Sequence, residues 1–201
     1  MKSVLISIQP KWCELIASGK KTVEVRKTKP KMDEPFKCYI YCTKQFYRKG
    51  DGYFQGKYCG KVIGEFVCDK INCLDDDSLF FGLDEISNSQ IEEYSCVSLD
   101  ELFAYKGDKE FLYAWHISSL VIYDKPKELS EFYRWTDYDD SKKDKRPCSY
   151  CEHNAYDYSE NCEYCSIDYD GEHCVHLQMK RPPQSWCYVD HPTEKGGGEG
   201  R

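Results

Sequence analysis

A cluster of polar and charged residues near the N-terminus has the composition of a ligand-binding or catalytic site. It comprises Ser7, Gln9, Pro10, Trp12, Gly19, Lys21, Glu24 and Arg26. Glu24 and Arg26 share one face of a predicted strand, and Lys21 stands at the start of that strand, just after a predicted helix end. Lysine, glutamate and arginine side chains that converge can hold a phosphate, a polarised carbonyl group or the edge of a base. The alternative is a solvated strand face with a weak ion pair.

A second cluster consists of two Cys-x-x-Cys pairs with ten residues between them: Cys148 with Cys151, and Cys162 with Cys165. Four thiolates at this spacing suit tetrahedral zinc, and a site with four protein ligands has no open position, so we predict a structural zinc ion. Unligated thiols and disulfides are the alternatives. Other candidate ligands are His153, His173, Cys174 and His176. The acidic residues around these cysteines favour contact with a protein over contact with a phosphate backbone.

The segment 37–58 alternates aromatic rings with cations. The rings are Tyr39, Tyr41, Phe46, Tyr47, Tyr53, Phe54 and Tyr58, and the cations are Lys37, Lys44, Arg48, Lys49 and Lys57. Single-stranded nucleic acids bind to such patterns, with bases stacked on rings and phosphates on cations. An ordinary surface loop is the alternative, with Tyr39 and Tyr41 packed in the core. His116 is similarly either a general base or a hydrogen-bonded core histidine.

The elements that must position these residues are mostly short strands. Strands are predicted over 2–8, 22–28, 36–43, 61–71, 111–123, 175–179 and 185–189. Apolar residues spaced by three and four predict one helix over 10–18, which Gly19 ends. The sequence Ser98-Leu99-Asp100-Glu101 is a capping box that opens a second helix, which ends near Gly107. Gly64 within its strand indicates a bulge or a close approach of another strand. Many strands with few helices predict a small barrel.

The charge of the chain is distributed unevenly. Of its 201 residues, 28 are Lys or Arg and 35 are Asp or Glu, which gives a net charge of −7. Residues 1–61 hold fourteen basic and five acidic residues (+9), and the rest hold fourteen and thirty (−16). A basic region on an acidic protein attracts polyanions, although surface lysines alone give the same pattern. No apolar run is long enough for a membrane span, and no signal peptide is evident, so we expect a cytoplasmic protein with reduced cysteines.

The run SIQPKWCELIASGKKTVEVR resembles the ASCH domain family, whose fingerprint is G-x-K-x-x-E-x-R after a helix that opens with Gln-Pro. Gly19, Lys21, Glu24 and Arg26 fit that fingerprint, and Gln9, Pro10 and Trp12 precede it. The segment KRPPQSWCYV (180–189) is similar to the end of ASCH proteins carried by phages and prophages.

This resemblance implies a PUA-like β-barrel with a cleft proposed to bind RNA or modified nucleosides. Small members of the family are amidohydrolases on N4-acetylcytidine, and some relatives are described as ribonucleases. In the amidohydrolases a lysine, a threonine and a later glutamate act together. Lys21 matches the lysine and Glu65 the later glutamate, but Glu24 stands where the threonine would be. Hydrolysis here would need water, with Glu24 or Glu65 as base and Lys21 stabilising the oxyanion.

Together these observations predict an α+β, mainly-β fold: a PUA-like small β-barrel with few short helices and an inserted zinc-knuckle segment. The barrel occupies 1–133, a linker with the cysteine-rich insertion 134–174, closing strands 175–190, and a disordered tail 191–201. The predicted function is binding of RNA or a modified nucleoside through Gln9, Trp12, Lys21, Glu24 and Arg26. The alternatives are an amidohydrolase or ribonuclease using Lys21, Glu24 and Glu65, and a phage-encoded protein that binds a protein partner through its acidic zinc segment.

Overall fold

The computed structural model describes residues 2–44, 58–75, 88–135 and 176–190. These residues form ten strands and three α-helices. The strands are β1 (Lys2–Ile8), β2 (Val23–Arg26), β3 (Phe36–Cys42), β4 (Val62–Cys68), β5 (Ile71–Leu74), β6 (Leu112–His116), β7 (Ser118–Lys127), β8 (Tyr133–Trp135), β9 (His176–Gln178) and β10 (Trp186–Asp190). The helices are α1 (Pro10–Ala17), α2 (Asn88–Ser95) and α3 (Leu99–Lys106), and a 3₁₀ turn covers Leu129–Glu131.

The described strands pair into two sheets. The large sheet has seven strands in the order β7-β4-β3-β1-β10-β8-β9, and the small sheet has the order β2-β6-β5. β1 runs parallel to β3, whereas β1 and β10 pair in the antiparallel sense. The mainly-β α+β prediction is therefore confirmed. In the part of the chain that the structure describes, however, the strands form two open sheets and not one closed barrel.

Successive residues along each strand point to opposite faces of the sheet, so buried side chains form separate cores on the two faces. One face of the large sheet packs with α1 and the small sheet around the main core, which contains Val4, Ile6, Ile8, Cys13, Ile16, Phe36, Cys38, Ile40, Cys42, Ile63, Phe66, Cys68 and Trp115. The opposite face carries the outer core, with Leu5, Tyr39, Tyr41, Val62, Phe132, Met179, Cys187 and Val189. A third core lies between the small sheet and helices α2 and α3, and includes Val23, Val25, Ile91 and Leu102. The predicted core positions of Tyr39 and Tyr41 are thus confirmed.

Two predicted strands are divided in the structure. The predicted strand 61–71 is β4 followed by β5, and these belong to different sheets. The predicted strand 111–123, expected to bend near Ser118-Ser119, is β6 in the small sheet and β7 at the edge of the large one. Ser119 has a φ of 47°, which turns the chain where β7 begins. One hydrophobic run therefore connects the two sheets.

The start of the predicted linker is also structured. The polar residues after 133 predict a linker from 134, but β8 continues to Trp135 and pairs with both β10 and β9. Trp135 lies opposite His176, so the chain leaves the large sheet and returns to it at neighbouring positions. The cysteine-rich segment and the tail 191–201 lie outside the described residues.

Candidate functional site

Strand β2 places the charged residues on the side of the small sheet that faces the main core. Val23 and Val25 are buried in the core between the small sheet and the helices, so Glu24 projects to the opposite side. Glu24 lies opposite Trp115 in the register, and Trp115 belongs to the main core. The predicted alternation of β2 is confirmed, but the face that carries Glu24 is buried and not solvated.

Lys21 is positioned by the turn that ends α1. Gly19 has a φ of 72°, a conformation that favours glycine, and the backbone N–H groups of Lys20 and Lys21 donate to the carbonyl of Leu15. This turn directs the Lys21 side chain inward, where it is only 2% exposed. Its Nζ donates to the carbonyl oxygen of Ser95 at 2.6 Å and lies 3.3 Å from Oε2 of Glu24.

Arg26 completes a charged triad with Lys21 and Glu24. Its Nη2 lies 3.0 Å from Oε1 of Glu24 and donates to the carbonyl oxygen of Ser7 at 2.6 Å. One carboxylate therefore stands between two cations, and the triad carries one net positive charge. Glu24 is 6% exposed, so these ion pairs are far less screened than surface pairs.

Two buried N–H donors at this position lack acceptors. The Nε atom of Arg26 and the Nε1 atom of Trp115 are both inaccessible to solvent and have no hydrogen-bond partner among the described residues. The two residues lie on neighbouring strands, because β2 pairs with β6 and Trp115 is opposite Glu24. Leaving a buried N–H donor without an acceptor costs about 1–3 kcal/mol of stability. A ligand that supplied an oxygen atom to such a donor would therefore be favoured.

The predicted ligand-binding residues Gln9 and Trp12 lie at the start of α1, the helix that leads to Lys21. Gln9 precedes α1 in an extended conformation with an exposed side chain that makes no capping hydrogen bond. Trp12 is half-buried against the main core, and its ring centre is 5.1 Å from Nζ of Lys21. The Trp12 ring therefore lies beside the charged triad, and the Gln9 side chain is at the surface.

Glu65 lies elsewhere, on the opposite face of the large sheet. It is the cross-strand neighbour of Tyr39, which belongs to the outer core, whereas Phe66 next to it belongs to the main core. Its carboxylate accepts hydrogen bonds from Nζ of Lys37 at 2.8 Å and from the Tyr123 hydroxyl at 2.5 Å. The structure thus brings Lys21, Glu24 and Arg26 together and does not bring Glu65 to them.

The environment of Glu65 stabilises its ionised form. Burial acts to raise the pKa of this carboxyl, but the hydrogen bonds from Lys37 and Tyr123 outweigh burial and lower the pKa below its ordinary value. For Tyr123, burial and the neighbouring Glu65 both raise the pKa of the phenol. Glu65, Lys37 and Tyr123 therefore form a hydrogen-bonded cluster on the large sheet.

His116 matches the hydrogen-bonded alternative. Its Nε2 lies 2.8 Å from Oδ1 of Asn72, on the neighbouring strand β5. Burial lowers the pKa of His116, which favours the neutral ring at neutral pH. The structure places His116 in a hydrogen bond within the small sheet.

Several predicted sites fall outside the described residues. They include Cys148, Cys151, Cys162 and Cys165, and residues 45–57 of the aromatic and basic segment 37–58. Within the described ranges, no group of three or more His, Cys, Asp or Glu side chains could hold a metal ion. Among the same residues, no helix is long and apolar enough to cross a membrane.

Two partners of the charged triad were not predictable from the sequence motif. Ser95 and Ser7 contribute backbone carbonyl oxygens, and a carbonyl leaves no residue-type signal in a sequence. Ser95 is 74 positions from Lys21 along the chain. Trp115 could have been considered, because a tryptophan in a buried strand brings an N–H group that needs an acceptor.

Comparisons with known proteins find similar solved structures and one matching family model. A crystal structure of an ASCH protein from Zymomonas mobilis is similar to this chain, with 23% identity over 63% of this chain and 73% of that one and a TM-score of 0.47. A tyrosine-to-phenylalanine variant of that protein gives 22% identity over 64% and 77%, with a TM-score of 0.48. A comparison with curated protein sequences finds no match. The family model for the ASCH domain matches residues 6–72 of this 201-residue chain, and the matched segment contains the whole fingerprint.

Proposed function

We propose that this protein binds RNA or a modified nucleoside at the charged triad, with Gln9 and Trp12 at the edge of the binding cleft. The observation that carries the proposal is the buried Nε atom of Arg26, which has no acceptor among the described residues. A phosphate oxygen or a base carbonyl would supply that acceptor, and because Nε is inaccessible to solvent in the unbound protein, the side chains that cover it have to move when the ligand binds. The ASCH domain match over residues 6–72 supports the same class of ligand.

The net charge of the triad selects the type of ligand. Two cations and one carboxylate favour a group that is anionic or rich in acceptors, and an arginine fork matches such groups in two parallel hydrogen bonds. The Trp12 ring, whose centre lies 5.1 Å from Nζ of Lys21 and 4.2 Å from Nζ of Lys11, is the aromatic group beside the triad on which we propose that a base stacks. A nucleotide combines both features.

The three charged residues have different roles in this proposal. Nζ of Lys21 is engaged by Ser95 and Glu24 and is buried, so Lys21 is a positioning residue that fixes the Glu24 carboxylate. The Arg26 side chain is 11% exposed and its Nε has no acceptor among the described residues, so we assign the contact with the ligand to Arg26. Turnover would have to use Glu24 with water, because Glu65 lies on the opposite face of the large sheet.

Binding titrations with variants of Arg26 test the proposal. End-labelled single-stranded RNA and tRNA are titrated with wild type, Arg26→Gln and Arg26→Lys. Loss of a hydrogen bond from a charged donor costs about 1.5–3 kcal/mol, so we expect affinity to fall about tenfold or more in Arg26→Gln. Arg26→Lys keeps the charge but loses the fork, and we expect it to bind weakly as well.

The exposed Arg134 provides the matched control, because Arg134→Gln removes the same charge from β8. Circular dichroism and thermal melting of each variant verify that the fold is kept. Unchanged affinity in Arg26→Gln contradicts the proposal. Shortened RNA on a denaturing gel would establish a ribonuclease, release of acetate from N4-acetylcytidine an amidohydrolase, and no binding to either ligand would favour the phage-encoded protein-interaction alternative.

We further propose that Cys148, Cys151, Cys162 and Cys165 bind a structural zinc ion. The support for this proposal is the donor set itself: four thiolates in two Cys-x-x-Cys pairs are the ligands of closed tetrahedral zinc sites. The same acidic segment would be the contact for a protein partner. A bound ion is measurable as one equivalent of zinc per chain.

A further inference from the structure

A basic groove begins immediately after the charged triad. It has a volume of about 610 Å³ and is lined by Lys27, Thr28, Lys29, Pro30, Lys31, Met32, Asp33 and Tyr113. Three of these side chains are cationic and one is anionic. Lys29 and Lys31 are exposed.

The groove is built by fixed contacts with the rest of the fold. Pro30 is buried, and Met32 packs against the main core. The hydroxyl of Tyr188 in β10 accepts a hydrogen bond from the backbone N–H of Lys31 at 2.7 Å. Nε1 of Trp186 donates to the Thr28 hydroxyl at 3.0 Å. Because the backbone is held at several positions, the lysines are presented in a preorganised array.

Two of the three groove lysines lie near aromatic rings, and none of the three forms an ion pair with a carboxylate among the described residues. Nζ of Lys27 lies 4.9 Å from the ring centre of Tyr105, and Nζ of Lys29 lies 5.7 Å from that of Tyr113. Tyr105 is 40% exposed. Cations next to accessible rings bind phosphates and bases together, which favours a nucleic acid over an acidic protein.

The groove lining adjoins the charged triad along the chain and in the strand register. Arg26 is the last residue of β2, and Lys27 is the first residue of the groove lining. Arg26 also lies opposite Tyr113 in the register of β2 and β6, and Tyr113 lines the groove. A strand whose nucleotide occupies the cleft would therefore extend directly over the lysines.

We propose that Lys27, Lys29 and Lys31 bind backbone phosphates of the RNA strand whose nucleotide occupies the cleft. The ligand is then a polynucleotide and not a free nucleoside. This inference rests on the proposed function of the charged triad and extends it. Its consequence is that the groove contributes salt-dependent affinity for RNA and contributes none for a nucleoside.

The test compares Lys29→Gln/Lys31→Gln with a control pair, Lys109→Gln/Lys125→Gln, in which two exposed lysines away from the groove are replaced. Single-stranded RNA of about ten nucleotides is titrated between 50 and 200 mM salt. Each phosphate contact to a single strand contributes about 0.7 to the salt slope, so two contacts contribute about 1.4. We therefore expect wild type to lose about sevenfold more affinity than the groove variant over this range.

Further variants and ligands separate this inference from the proposed function. Asp33→Asn removes the anion of the groove lining, and we expect it to strengthen RNA binding. We expect N4-acetylcytidine, the nucleoside probe, to bind equally to wild type and the groove variant.

An unchanged salt slope in the groove variant overturns the inference, whatever Arg26→Gln does. A reduced slope with no effect of Arg26→Gln supports the groove and contradicts the cleft. Equal effects of the groove and control pairs overturn it, as does poly-glutamate that competes as strongly as RNA.

Discussion

At the scale of single residues, the feature that separates this site from a surface ion pair is the burial of Lys21 and Glu24. A buried carboxylate is tolerated only when charges and hydrogen bonds compensate for its lost hydration. Glu24 has both, from Lys21 and Arg26. The Ser95 carbonyl adds a further partner for the ammonium group. The triad is therefore a structural unit as well as a binding site.

Replacement of Lys21 tests this coupling. Lys21→Met removes one partner of Glu24 and the donor to the Ser95 carbonyl. We expect the free energy of unfolding to fall by about 3 kcal/mol. This value is at the low end of the range for buried ion pairs, because Arg26 still pairs with Glu24. Urea denaturation measures the change. In a double-mutant cycle with Glu24→Gln, the two losses should not add. Additive losses, or a loss below 1 kcal/mol in Lys21→Met, would contradict the buried pairing.

The Glu65 cluster makes a pH-dependent contribution to stability. Its hydrogen bonds with Lys37 and Tyr123 lower the pKa of the carboxyl in the folded protein, so the stabilisation is present above the ordinary pKa of about 4.3. It is lost as the pH falls through the lower folded-state pKa. We expect Glu65→Gln to be destabilised at pH 7 and to approach wild type near pH 3. Urea denaturation across this range measures the difference, and Tyr123→Phe should give a smaller effect of the same sign. A stability difference that stays constant with pH would exclude the contribution.

At the scale of elements, the close approach of β4 and β7 depends on Gly64. The sequence predicts a bulge or close approach here, and the register of β4 is irregular on both sides of the strand. A Cβ at position 64 would lie 2.3 Å from the backbone oxygen of Val121. Since that neighbour is backbone, it cannot rotate away. The strand pair must separate to accept any other residue.

Gly64→Ala is therefore expected to destabilise the protein by about 1–3 kcal/mol, the usual cost of overpacking. Gly19→Ala is the control, since its new Cβ meets nothing within 4 Å and is disfavoured only by a φ of 72°. We expect about 1 kcal/mol for that control. Thermal and urea denaturation compare the two variants. If the melting temperature of Gly64→Ala equals or exceeds that of the control variant, the close approach of β4 and β7 does not limit the stability of the protein.

The capping box of α3 is the element that the sequence predicted most completely. The Ser98 hydroxyl accepts a hydrogen bond from the backbone of Glu101, the Glu101 carboxylate accepts one from the backbone of Ser98, and Gly107 follows the last helical residue. Such boxes depend only on residues three positions apart, so the sequence contains the whole interaction. The preceding helix α2 ends at Ser95, whose carbonyl binds Lys21.

At the scale of the whole molecule, the large sheet joins residues from both ends of the described chain. β1 pairs with β10, and β10 in turn pairs with β8. Trp135 and His176, the described residues on either side of the cysteine-rich segment, pair in the register of β8 and β9. A zinc ion bound by that segment would cross-link residues between these two strands, and a cross-link reduces the conformational entropy of the unfolded chain.

Metal removal tests the proposed zinc at this scale. We expect the purified protein to contain one equivalent of zinc, and a chelator or Cys148→Ser to remove it and lower the melting temperature, since the metal stabilises only the folded segment. Cys73→Ser is the control, because Cys73 is an exposed cysteine in β5. Purified protein that contains no zinc would contradict the proposal. A melting temperature that does not change when the chelator is added would contradict it as well.

The sequence by itself determined the local features of the site. The alternation of Val23, Glu24, Val25 and Arg26 fixes which residues of β2 share a face, and Gly19 fixes the turn that introduces Lys21. These features depend on strand periodicity and on the backbone freedom of glycine, both of which act within a few residues. The motif, its order and the helix before it could therefore be predicted correctly.

Only the tertiary structure decided which residues meet. Glu65 was expected beside Lys21, but the register of β3 and β4 places it on the opposite face, with Tyr39. Burial of Lys21 depends on the distant Ser95, and the basic groove depends on contacts with Trp186 and Tyr188 in β10. The alternation of residues along a strand predicts that its two faces differ. Pairing with distant strands then decides which face points to a given site, and a local sequence pattern contains no information about that pairing.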